Sequence, residues 1–149
     1  MKTLAIGTAV SVLALAACGS GGGGGSTLTK AQYDAKVSRL CLVNADAFRE
    51  LHLDDTVGDY KAFGSSIIHL DQSFATKLAA LKPPSSIASE ASAFGKANAL
   101  AAQDDKDAVA AAKAGDAAKL KTLIAKYNHD EVATYPSAKA MGARDCYFP

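Results

Sequence analysis

Tyr60-Lys61-Ala62-Phe63-Gly64-Ser65-Ser66-Ile67-Ile68-His69-Leu70-Asp71-Gln72-Ser73-Phe74-Ala75-Thr76-Lys77-Leu78-Ala79-Ala80-Leu81-Lys82-Pro83-Pro84 is the stretch that decides the fold. Its apolar residues Tyr60, Phe63, Ile67, Leu70, Phe74, Leu78 and Leu81 recur at steps of three and four, the spacing of one face of an α-helix. Pro83-Pro84 ends that helix, because proline lacks the amide donor and pushes the residue before it out of the α region. Working towards the N-terminus, Asp54-Asp55-Thr56 separates it from an earlier stripe of Tyr33, Val37, Leu40, Cys41, Phe48 and Leu51. Thr29 and Gln32 stand in capping-box position at the start of that first helix.

Towards the C-terminus, a third helix is expected to begin at Ser85 or Ser86. It carries Ile87, Ala91, Phe94, Asn98, Ala101 and Val109, a stripe built mostly of alanine that must pack either closely or weakly. Gly115-Asp116 supplies a left-handed stop followed by a good N-cap, the junction of a helical hairpin. The fourth helix shows Leu120, Leu123, Ile124, Tyr127, Glu131, Ala138 and Met141, with Pro136 imposing a kink or an early finish. Alanine-rich composition and long stretches free of Pro and Gly agree with an all-α chain. Short connections make successive helices antiparallel, so the expected architecture is an up-down-up-down four-helix bundle, with three long helices plus an irregular tail as the alternative.

Outside this domain, residues 29–149, the chain divides into two short segments. Residues 1–17 read as an export signal: Lys2 gives a positive end, residues 4–14 an apolar run too short for a permanent span, and Ala16-Ala17 a small-residue cleavage site. Leu15-Ala16-Ala17-Cys18 resembles a lipobox, which implies that the signal is cut before Cys18 and that Cys18 is acylated, anchoring the protein on the extracytoplasmic side of the cell membrane. Two or more acyl chains hold firmly where one binds only marginally. The alternative is an ordinary secretory signal followed by an unrelated cysteine. No twin-Arg precedes the apolar run, and Gly19 rather than Asp follows the lipidation position. Residues 18–28, whose stretch 19–26 is entirely Gly and Ser, are expected to form a flexible tether with an r.m.s. span of ~17–20 Å to Thr29. Neither a preceding strand nor a closing Lys-Ser/Thr pair makes it a phosphate loop.

Of sixteen basic residues Lys2 lies in the signal, which leaves fifteen against fifteen acidic ones, and a neutral chain offers nothing to nucleic acid. With Cys18 taken by lipid, Cys41 and Cys146 remain as an even pair in an oxidising compartment and are expected to form a disulfide. No CxxC spacing or adjacent His favours a redox or metal role for them. Thr29-Lys30-Ala31-Gln32-Tyr33, Cys41, Leu81-Lys82-Pro83-Pro84, Ala114-Gly115-Asp116 and Gly142-Ala143-Arg144-Asp145-Cys146 together resemble the small exported helical proteins and lipoproteins of actinobacteria. That resemblance implies a fold and a location and gives no reaction. His52-Leu53-Asp54-Asp55 and the ending Tyr147-Phe148-Pro149 depart from it.

No catalytic, cofactor or metal constellation is expected. His52, His69 and His129 are preceded three residues earlier by Arg49, Ser66 and Lys126, so the Glu-x-x-His pairs of a di-metal bundle are missing. His129-Asp130-Glu131 sets a base beside two carboxylates, but adjacent residues do not share a helix face, and a solvated cluster is the expectation. Asp104, Asp105 and Asp107 lack the Gly and distal Glu of a calcium loop and read as a charged, solvated face. No G-x-S-x-G elbow surrounds any serine. Asn98 and Glu131, polar on apolar stripes, mark either an internal polar contact or a stripe's edge. The leading functional expectation is a non-enzymatic, membrane-tethered interaction module of the cell envelope that meets an envelope protein. The second is a carrier in which a bulky second helix facing an alanine-built third leaves room for a small apolar ligand or lipid. The third, an enzyme, rests on His129-Asp130-Glu131 alone.

Overall fold

The computed structural model describes residues 28–147, and all described regular structure is helical. Helix α1 spans Lys30–Arg49, α2 Val57–Ala79, α3 Ala88–Ala114, α4 Ala117–Val132 and the short α5 Tyr135–Met141. Single 3₁₀ turns at Ser85–Ile87 and Arg144–Cys146 precede α3 and follow α5. The proposed signal peptide, Cys18 and the tether through residue 27 lie outside the described residues, whereas Leu28, the last residue assigned to the tether, packs against the core.

Local chemistry explains the boundaries. The Thr29 hydroxyl accepts the Gln32 N–H while the Gln32 side chain accepts the Thr29 N–H, closing the expected capping box. Thr56 and Asp59 repeat that device at the start of α2. Between α1 and α2 the chain turns through His52 and Asp55 at φ 48° and 58°, left-handed conformations that non-glycine residues adopt uncommonly. Gly115, at φ 78°, closes α3: its N–H donates to Ala112 and that of Asp116 to Ala111, and Asp116 then caps α4 by accepting the Lys119 N–H at 2.9 Å. The α3 start is delayed by the 3₁₀ turn, so the α-helix proper begins at Ala88 rather than at Ser85 or Ser86. The fourth stripe finishes early. Helix α4 stops at Val132, and Pro136 falls in the first turn of α5, where its missing N–H has no intrahelical partner to lose.

Helix α3 is the centre of the bundle, packing on α2 along one side and on α4 along the other, while α1 packs on α2. Four packed helices make the all-α bundle that the stripes predict. Its alanines serve close packing: Ala101, Ala108, Ala111 and Ala112 are buried, and Gly64 of α2 sits directly against Val109 of α3. Cys41 and Cys146 are joined, with Cα atoms 5.1 Å apart across 105 residues, fastening the terminal turn to α1.

The core is divided in two. One cluster gathers Tyr33, Val37, Phe74, Leu78, Phe94, Met141 and Cys146 at the end where the disulfide lies. The other gathers Tyr60, Ile67, Ala108, Val109, Ala112 and Leu120 at the α3–α4 hairpin end. Between them each helix contributes polar or small residues to a middle layer: Asn44 and Ala45 from α1, Asp71 from α2, Asn98 and Asp105 from α3, Tyr127 and Glu131 from α4.

Candidate functional site

The middle layer follows from a detail of the stripes. In α2 the core series runs 60, 64, 67, 71, 74, 78, so Gly64 and Asp71 occupy inward positions. Phe63, expected inside, is 37% exposed, and Leu70 is only half-buried. In α3 the same alternation of steps, 91, 94, 98, 101, 105, 108, brings Asp105 inward. The charged face expected of Asp104 and Asp105 is therefore overturned: both are 3% exposed. Polarity suggested solvent, but position on the helix decided burial.

Where the two cores part, a cleft of about 470 Å³ opens. Helices α1 and α4 flank it, and their backbones do not pack on each other as the other neighbouring pairs do. Phe74 and Phe94, in edge-to-face contact with centroids 6.5 Å apart, belong to its lining together with Phe48 and Tyr127. The Cys41–Cys146 bridge, Thr134 and Tyr135 lie at the disulfide end of that lining. Asp71, Asn98 and Glu131 supply the polar groups. Asn98 donates to the Phe94 carbonyl at 2.8 Å, which holds its side chain along α3. A smaller cavity of about 120 Å³, lined by Tyr60, Ile67 and Asp105 among others, shares Phe48 and Tyr127 with the cleft.

Asp71 and Asp105 stand at this junction within hydrogen-bonding reach of each other, a contact that two carboxyl groups can keep only by retaining a proton between them. Burial raises Asp71 to about 7. Burial, followed by the charges of Asp71, Glu131 and Asp104, raises Asp105 to about 8. The Oδ2 atoms of both meet no donor from the rest of the protein. Burial likewise holds Glu131, Tyr60 and Tyr127 above their usual ranges.

The neighbouring Asp104 is treated differently. Lys126 Nζ lies 2.7 Å from each of its carboxylate oxygens and 2.8 Å from Asp130, so Asp104 is buried with a cation in place. Asp130, bonded to Lys126 and His129, is held down at about 2. The sequence triple His129-Asp130-Glu131 is thus split three ways. The His129 side chain is 84% exposed, Asp130 faces Lys126, and Glu131 turns to the cleft. Asn98 and Glu131 prove to be cleft residues. Among the described residues, no three His, Cys, Asp or Glu side chains converge as a metal ion requires, and no helix is long and apolar enough to cross a membrane. No protein-family model matches the chain, and no curated protein or solved structure is significantly similar to it.

Proposed function

We propose that this protein is a membrane-tethered envelope lipoprotein whose helical bundle binds a small, largely apolar ligand in the cleft between its two cores. The observation that carries the binding role is the cleft itself. Its volume of about 470 Å³ and its walls of Phe48, Phe74, Phe94 and Tyr127 with a few convergent polar groups have the character of a small-molecule site. The Leu15 to Cys18 lipobox and the glycine tether support the location. A protein-docking module, the leading expectation from sequence, has less behind it, since the large exposed apolar residues Val43, Phe63, Leu100 and Val132 stand on four different helices.

Two measurements test this reading. Cys18→Ala should release the protein from the membrane fraction into the medium, and retention in the membrane would overturn the anchor. Native mass spectrometry of the protein extracted gently from membranes should find a bound small molecule that Ala45→Trp, which fills the cleft from α1, excludes. A wild-type protein that neither carries nor takes up any small apolar compound would overturn the binding role.

A further inference from the structure

Among the described residues, the buried acidic pair where the cleft meets the smaller cavity has no counter-ion, unlike Asp104 and Asp34. Asp104 has Lys126, and Asp34 has Lys30 at 2.7 Å. The charges acting on Asp105 come from Asp71, Glu131 and Asp104, and the neighbouring Tyr60 and Tyr127 are neutral phenols, held in that form by burial and by these same carboxyl groups. Arg49, a basic side chain of the cleft lining, pairs with Asp46, and Lys126 pairs with Asp104 and Asp130. Asp145, at the disulfide end of the lining, adds another carboxylate rather than a cation. Asp105 is 3% exposed beside the smaller cavity, and beyond the proton it shares with Asp71 its Oδ2 has no donor, so the pair stays deprotonated only if something with N–H groups takes that proton's place.

Resting on the small-ligand reading above, we propose that the ligand is a small primary or secondary amine, bound as its ammonium ion against Asp71 and Asp105 with its apolar body along Phe48, Phe74, Phe94 and Tyr127. Ammonium N–H groups can replace the shared proton as donors to both Oδ2 atoms, which no other residue supplies, and the aromatic faces attract the same positive charge. In the free protein a retained proton occupies this place, so amine binding is an exchange. The proton shared by Asp71 and Asp105 leaves to solvent as the ammonium enters, and the net charge of the site is conserved. Affinity should therefore climb as pH rises through about 7 and about 8, where the pair gives up its protons.

The test uses the full-length chain carrying Cys18→Ser, titrated by calorimetry and amide-resolved NMR with octylammonium, octanol and octanoate, three probes of one length and different charge. Octylammonium should bind about ten- to a hundredfold more tightly than octanol, the range for charge-assisted hydrogen bonds. It should release protons to buffer and shift the amides of the middle layer. Asp71→Asn with Asp105→Asn, which keeps the shape and a neutral hydrogen bond, should abolish the preference while leaving octanol binding intact. If that variant does not fold, the pH dependence of the wild-type protein decides. Equal affinity for octanol, tighter binding of octanoate, or amine affinity flat with pH would overturn the amine assignment while sparing the cleft. Failure of all three probes to reach the middle layer would overturn both.

Discussion

Replacing Gly64 by Ala tests the closest approach in the bundle, the contact that brings α2 and α3 together and sets the acid pair face to face. A Cβ at position 64 would lie 2.6 Å from Val109 Cγ1 and 3.2 Å from Cγ2. Normal carbon contact is about 3.5–4.0 Å, so the helices must separate by about 1 Å or Val109 must move. Val109 is β-branched, stiff at χ1 within a helix, and 1% exposed, so it has no free rotamer to escape to. Overpacking of this kind costs about 1–3 kcal/mol, and Ala returns up to about 1 kcal/mol of helix propensity over Gly. The expected net loss is about 1–2 kcal/mol. Val109→Ala alone removes two methyl groups and should cost about 2 kcal/mol. The double variant loses the clash and keeps the propensity gain, so it should fall only about 1 kcal/mol below wild type, a coupling of about 2 kcal/mol in its favour. Urea unfolding followed by far-UV circular dichroism measures all four corners of the cycle. A Gly64→Ala protein more stable than wild type, or a cycle additive within about 0.5 kcal/mol, would refute the close packing.

Three further outcomes follow from the same geometry. Because Asp71 and Asp105 are raised to about 7 and about 8 by burial, the folded protein keeps protons that the unfolded chain releases near its ordinary carboxylate range. Their contribution therefore makes stability fall as pH rises from about 4 to about 8 and level off above, and Asp71→Asn with Asp105→Asn should flatten that decline. Urea midpoints that rise across this window would contradict the sign. Reducing the Cys41–Cys146 bridge, which closes a loop across 105 residues, should cost up to about 4.7 kcal/mol by chain entropy, read as a lowered midpoint in reductant. An unchanged midpoint would show that the staple does not hold the fold. Lys126→Met strips the buried Asp104 of its cation and should lower the thermal midpoint, with Asp104→Asn in the same background recovering it, whereas independent losses would argue against the pair.

The helices, their punctuation and the staple were readable from short stretches of the chain. Thr29, Pro83-Pro84 and Gly115-Asp116 act through bonds within a few residues, and Cys41 and Cys146 are the even pair left in the domain, so each was legible without tertiary information. The part played by the polar residues inside the stripes emerged from the docking of one helix on another. Asp105 read as part of a charged face and Asp71 carried no signal of its own until α2 and α3 dock at Gly64 and Val109, which brings both carboxyl groups to one layer and leaves them without a cation. The series 60, 64, 67, 71, 74, 78 was there to be counted, but hydrophobicity drew attention to Phe63 and Leu70 on its flank. The cleft had no local signal. It exists because α1 and α4 fail to close on each other, and a gap between helices distant in sequence is a property of packing that no single stretch encodes.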